Sequence, residues 1–157
     1  MSSEPVPSTP APTHAVGIDM IEIDRVARVL ARHPRRFIER VYTPEEAAFC
    51  RGRVPELAAR FAAKEAVMKA LGMGARSVAW RDIEVLPDRR GKPLVYLYGG
   101  AAKRAETIEL EAIDVSLSHL ESFALAAVVC TAQRPEQTHA EARERLVRRL
   151  RERGLLE

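Results

Sequence analysis

The sequence predicts an α+β fold, and three observations carry that reading. Helix signals dominate the first half of the chain, while short β-rich runs separated by turn signals dominate the second. The strand signals there read as mostly antiparallel. Finally, 46% hydrophobic and 30% charged residues in a chain of 157 describe one ordinary globular domain with a real core.

The elements follow in order. Residues 1–13, MSSEPVPSTPAPT, hold Pro, Ser and one charge, Glu4, and read as a disordered N-terminal tail. The domain itself is expected over residues 14–133. HAVGIDMIEI gives a strand ending near Asp19, then a turn into a helix over residues 23–31. HPRRFIERVYTPEEAAFC holds two short helices, the second opened by a Thr43/Glu46 capping box with Pro44 at the first helical position. A long helix runs from Val54 to Leu71 and stops at the glycines of LGMGA. WRDIEVLP reads as a strand, DRRGK as a turn, PLVYLY as a strand and GGAAKRAETIEL as a short helix. AIDVSLSH and ESFALAAVV are two strands joined near residues 119–121, and residues 134–157 form a charged helical extension.

Composition excludes several classes. No apolar run approaches the ~18 residues of a membrane span. The N-terminus lacks the basic and apolar regions of a secretory signal. Cys50 and Cys130 lie in no metal-ligand spacing and read as buried free thiols. A cytoplasmic protein is expected. The net charge of +3 is mild, but arginine clusters suit phosphate, an acidic protein or nucleic acid. A basic nucleic-acid module is therefore the rival reading. With aromatics at only 5% and no recognised motif, nucleic-acid binding is not expected.

The long helix carries the puzzle. At about 100° per residue, Phe61, Met68 and Leu71 fall within about 40° of Leu57 and define a core-facing stripe. Lys64 falls inside that stripe, where a solvated lysine does not belong unless its stem reaches an edge. Glu65 and Lys69 sit together on one flank, among alanines 58, 59, 62, 63, 66 and 70. Their i,i+4 spacing allows a surface ion pair. It equally allows a cleft prepared for metal or phosphate, with the alanines giving clearance. Asp19, after the flexible Gly17, is either a turn aspartate or a second carboxylate for a divalent metal. His119 closes VSLSH as a turn histidine or a functional one. A P-loop and any assignable Ser-His-Asp set are absent from the sequence.

Three segments together resemble the holo-[acyl-carrier-protein] synthase family of 4′-phosphopantetheinyl transferases. GIDMIEIDRV matches the opening motif through Gly17, Asp19 and Arg25. RFAAKEAVMKALG meets every fixed position of the central F-x-x-K-E-A-x-x-K-A motif, and VSLSHLESFALA resembles the closing strand pair. GKPLV, residues 91–95, resembles the turn before a family strand. The likeness covers roughly residues 15–130.

This resemblance implies an antiparallel sheet packed around a long central helix. It also implies transfer of phosphopantetheine from coenzyme A to a serine of an apo acyl carrier protein, in fatty acid or polyketide synthesis, releasing adenosine 3′,5′-bisphosphate. The nucleophile would then belong to the partner. Asp19 and Glu65 would hold Mg²⁺, or Mn²⁺, and Glu65, Lys69 and His119 would be catalytic. Arg60, Lys64, Lys69, Gly72, Gly74, Pro93 and His119 would bind coenzyme A. Arg25, Arg28, Arg32 and Arg36, with Arg35 among them, would face the acidic carrier protein. The family assembly implied is a homotrimer with active sites between subunits.

Overall fold

The structure is a computed structural model that describes residues 13–74, 78–133 and 139–157. Strand β1 (Thr13–Glu22) runs directly into helix α1 (Ile23–Arg32), followed by α2 (Pro34–Val41), α3 (Pro44–Cys50) and α4 (Val54–Ala70). A single 3-10 turn, Trp80–Asp82, leads into β2 (Ile83–Pro87), β3 (Pro93–Leu97), α5 (Gly99–Thr107), β4 (Leu110–His119) and β5 (Phe123–Ala132). Helix α6 (His139–Glu152) ends the described chain. The expected tail lies outside the described residues except for Thr13, which opens β1.

The strands form two antiparallel sheets: β1-β5-β4, and the hairpin β2-β3. The hairpin turn is built by Asp88, whose carboxylate accepts from the backbone N–H groups of Arg90 and Lys92, while Gly91 takes φ +87°. The β4–β5 turn closes with the Leu120 N–H donating to the Phe123 carbonyl at 2.8 Å.

Helix α4 is the axis of the fold. It packs on β1, β5 and β4, with α1, α3 and β2 around the rest of it. The apolar stripe expected on one side is therefore too narrow a description. Leu57, Ala58, Ala59, Ala62, Ala63, Ala66, Val67, Met68 and Ala70 are all buried, and so are Arg60 and Lys64. Small side chains let a sheet lie close on the helix. At Gly17 of β1, an added Cβ would sit 1.8 Å from the Ala66 carbonyl oxygen.

The Thr43/Glu46 capping box forms as expected, with Pro44 at N1. Cys50 and Cys130 are buried free thiols. Two expectations need correction. β1 does not end near Asp19; it continues to Glu22, because all ten of its residues pair with β5. Trp80–Asp82 is a 3-10 turn instead of strand. Asp82 is held there by accepting the Gly100 N–H at the start of α5, at 2.9 Å.

Candidate functional site

Asp19, Glu65 and Lys69 meet at the mouth of a cavity of about 410 Å³ between β1, α1, α2 and α4. Strand alternation puts Asp19 on the same face of β1 as Gly17 and Ile21, toward α4. Lys69, on the last turn of α4, donates to Asp19 Oδ1 and to the Ile18 carbonyl, both at 2.8 Å. The ion pair read from i,i+4 spacing is thus replaced by one across elements. Lys69 reaches Asp19, fifty residues earlier, instead of Glu65.

Glu65 is half-buried beside this pair and makes no hydrogen bond among the described residues. Burial pushes its carboxyl above the usual glutamate range, and the Asp19 charge adds to that while Lys69 opposes it. Two carboxylates with crowded negative charge and only one ammonium partner suit a divalent cation. No group of three or more His, Cys, Asp or Glu ligands occurs among the described residues. A two-carboxylate oxygen set is too sparse for a closed transition-metal site. It fits a hard ion such as Mg²⁺, which keeps waters and takes further oxygens from phosphate.

The same cavity continues over Val26, Val29, Phe37 and Phe61, with Arg25 at its rim. Phe61 stacks on Trp80 with centroids 4.6 Å apart, which fixes this wall. Arg28, Arg32, Arg35 and Arg36 are exposed on α1 and α2. Arg35 pairs with Glu39 at 2.7 Å. Sequence reasoning expected Arg25 on the surface facing the carrier protein and gave no warning of the apolar wall, since its residues come from three separate helices.

Not every expected residue joins this mouth. His119 is exposed at the end of β4 and lines a second depression with Pro93, Lys92, Glu56 and Ser116. Gly72, at φ +65°, and Gly74 follow α4, where the Arg104 guanidinium donates to the Leu71 carbonyl at 2.8 Å.

Arg60 and Lys64, both expected at coenzyme A, do not line this cavity. The Arg60 side chain is buried, donating to the Val85 carbonyl and to Glu56, and its guanidinium lies over the Phe49 ring at 4.5 Å. Lys64 has no exposed surface at all. Its ammonium donates to Glu46 Oε2 at 2.7 Å, to the Trp80 carbonyl at 3.1 Å and to the Ile83 carbonyl. The Lys64 ammonium is thus spent within the fold, while Arg60 is held through its Nε and Nη1. Sequence reasoning missed Glu46 as the Lys64 partner, reading it only as a capping residue, and missed the buried Glu84 nearby. Glu84 is buried and accepts from the Thr43 and Tyr98 hydroxyls.

Comparison with known proteins places this geometry in context. Residues 15–128 match the model of the 4′-phosphopantetheinyl transferase superfamily. The chain is 45% identical over 124 residues to the holo-[acyl-carrier-protein] synthase of Moorella thermoacetica, covering 77% of this chain and 96% of that one. It is 47% identical over 120 residues to the synthase of Herpetosiphon aurantiacus, covering 72% and 94%. Its fold is similar to the crystal structure of the Helicobacter pylori synthase in complex with coenzyme A. That match has TM-score 0.68 and 30% identity, over 73% of this chain and 98% of the other.

Proposed function

This chain belongs to the 4′-phosphopantetheinyl transferase superfamily, and from that premise we propose that it is a Mg²⁺-dependent holo-[acyl-carrier-protein] synthase. It moves 4′-phosphopantetheine from coenzyme A to a serine hydroxyl of an apo acyl carrier protein and releases adenosine 3′,5′-bisphosphate. The observation that carries the reading is the convergence of Asp19, Glu65 and Lys69 at one cavity mouth. The proposed setting is the cytoplasm, in fatty acid synthesis. In keeping with this, no helix among the described residues is long and apolar enough to cross a membrane.

In the reaction, the serine oxygen forms a bond to the phosphorus that carries pantetheine. The bond from that phosphorus to the bridging oxygen of adenosine bisphosphate breaks, and the leaving phosphate keeps the electron pair. Asp19 and Glu65 are the residues that would hold Mg²⁺. The metal's chemistry there is to neutralise phosphate charge as the leaving group departs. Lys69, fixed by Asp19 and the Ile18 carbonyl, keeps its ammonium at the mouth as a positive partner for the reacting phosphate. The serine proton leaves to a carboxylate or water oxygen at the same mouth. The apolar side chains of Val26, Val29 and Phe61 line the same cavity.

A homotrimer with sites between subunits accounts for two further features. The outer face of the β1-β5-β4 sheet exposes Val16, Ile18, Met20, Leu125 and Val129 side by side. His119 and Pro93 lie in a separate depression from Asp19 and Glu65 on one chain. Packing such faces together would bring one subunit's His119 toward a neighbour's metal mouth, where it would donate to a coenzyme A phosphate.

The test is incubation with coenzyme A, Mg²⁺ and apo acyl carrier protein, read by mass spectrometry. The expected result is a phosphopantetheine mass gain that chelation abolishes. Absence of any gain on several fatty-acid and polyketide carriers, with folded enzyme, would overturn the reading. The exposed arginines carry a second expectation. A double Arg28→Ala/Arg32→Ala variant should raise the KM for the carrier roughly fivefold at low salt with kcat little changed. Its salt dependence should also flatten, because rim charges act on the encounter.

A further inference from the structure

Lys64 is the charge in the central motif that the proposed reaction leaves unused. Its surroundings say what it does. All three ammonium protons are engaged, by Glu46 of α3, by the Trp80 carbonyl before β2 and by the Ile83 carbonyl at its start. Glu46 is pinned in turn, accepting from the Thr43 N–H and from the Val85 N–H, each at 2.9 Å. Both side chains are fully buried. Such a pair is a poor source of stability compared with apolar packing, and its clearest use is to specify one arrangement.

An arrangement does need specifying here. One side of α4 is lined by six alanines, which let β1 approach closely but offer few knobs there to resist rotation about the helix axis. Lys64 supplies three directional bonds to elements that α4 must face. Glu65 is the next residue, so its bearing from the axis follows that of Lys64 by about 100°. A turn of α4 in its seat would swing Glu65 away from Asp19, which β1 holds independently through its pairing with β5.

We infer that Lys64, locked to Glu46, is a positioning residue that sets the rotation of α4 and so aims Glu65 at the cavity mouth beside Asp19. The inference rests on the reading of Asp19 and Glu65 as the metal pair. Lys64 touches no substrate; it acts through Glu65.

The experiment measures Mn²⁺ binding in the presence of coenzyme A, by the free-ion electron paramagnetic resonance signal, beside the transfer kinetics. Lys64→Met alone leaves the buried Glu46 charge without its partner and should lower Tm. Lys64→Met/Glu46→Gln removes both charges and should recover much of that Tm. Lys64→Arg keeps the charge but changes the reach. Positioning predicts that the double variant and Lys64→Arg bind Mn²⁺ about tenfold or more weakly. It also predicts a fall in kcat with little change in the KM for coenzyme A. Folded Lys64→Arg that binds Mn²⁺ and turns over like the wild type would overturn the inference, whether or not the double variant folds. Glu65→Gln is the control. If it too binds Mn²⁺ normally, the metal-pair reading falls and takes the inference with it. If Glu65→Gln loses Mn²⁺ while both Lys64 variants keep it, only the positioning role is wrong.

Discussion

Replacing Glu65 with Gln is expected to reduce phosphopantetheine transfer by about three orders of magnitude, the several kcal/mol that a catalytic metal contributes to charge stabilisation. A carboxamide keeps the shape of the side chain, but its oxygen is a poor ligand for a hard cation, and it accepts no serine proton. The same substitution should leave Tm unchanged or slightly raised in the metal-free protein at neutral pH. The sign follows from the raised carboxyl, caused first by burial and then by Asp19. The folded state binds that proton more tightly than the unfolded chain does. Its stabilising effect is therefore complete below the ordinary glutamate value and is lost as pH rises through the folded value. Above that value the wild type carries a half-buried charge beside Asp19 that the variant lacks. The two Tm curves should converge as pH falls through the same range. Mass gain of the carrier and Tm against pH check both halves. Transfer at the wild-type rate would remove Glu65 from the metal site.

The difference between what the sequence made legible and what it hid lies in how far apart the interacting residues are. The capping box at Thr43 and Glu46 involves neighbours, so a three-residue spacing identified it. Alternation and turn residues placed β2, β3, β4 and β5 for the same reason. The acidic positions Asp19 and Glu65 were recognisable as motif members, although their meeting depends on β1 lying along α4. Lys64 stayed unexplained because its partners are Glu46, Trp80 and Ile83, none on its own helix. A helical wheel records only that it points inward. The burial of Arg60 was hidden for a similar reason, since the Val85 carbonyl that its Nε meets lies 25 residues on. The i,i+4 spacing allowed Lys69 a pair with Glu65 on its flank, whereas strand β1 brings Asp19 to it. Local chemistry is readable from spacing, whereas the direction of a buried charge is decided by tertiary packing.

Gly17→Ala is expected to be the most damaging conservative change in the chain. The added Cβ would lie 1.8 Å from the Ala66 carbonyl oxygen, 2.8 Å from its carbonyl carbon and 2.9 Å from the Ala70 nitrogen. All three are backbone atoms of α4, so no rotamer change relieves the overlap. Either β1 lifts from the helix or α4 shifts against its other neighbours, in an interior that resists both. Overpacking of this kind costs roughly 3 kcal/mol or more, which for a chain of this size lowers Tm on the order of 10 °C. Function should suffer beyond that. Asp19 lies two residues along the same face of β1, so a strand pushed outward carries its carboxylate away from Glu65. A Gly17→Ala variant that still folds at low temperature should therefore bind Mn²⁺ with coenzyme A weakly and transfer slowly. Gly74→Ala is the matched control, because a Cβ there meets nothing within 4 Å among the described residues. Its stability should stay within the small range of surface substitutions, about 0.5 kcal/mol, with Tm little changed. Equal Tm for the two variants would show that the strand–helix contact yields, and that the spacing of the two carboxylates is set by something other than the absent side chain at Gly17.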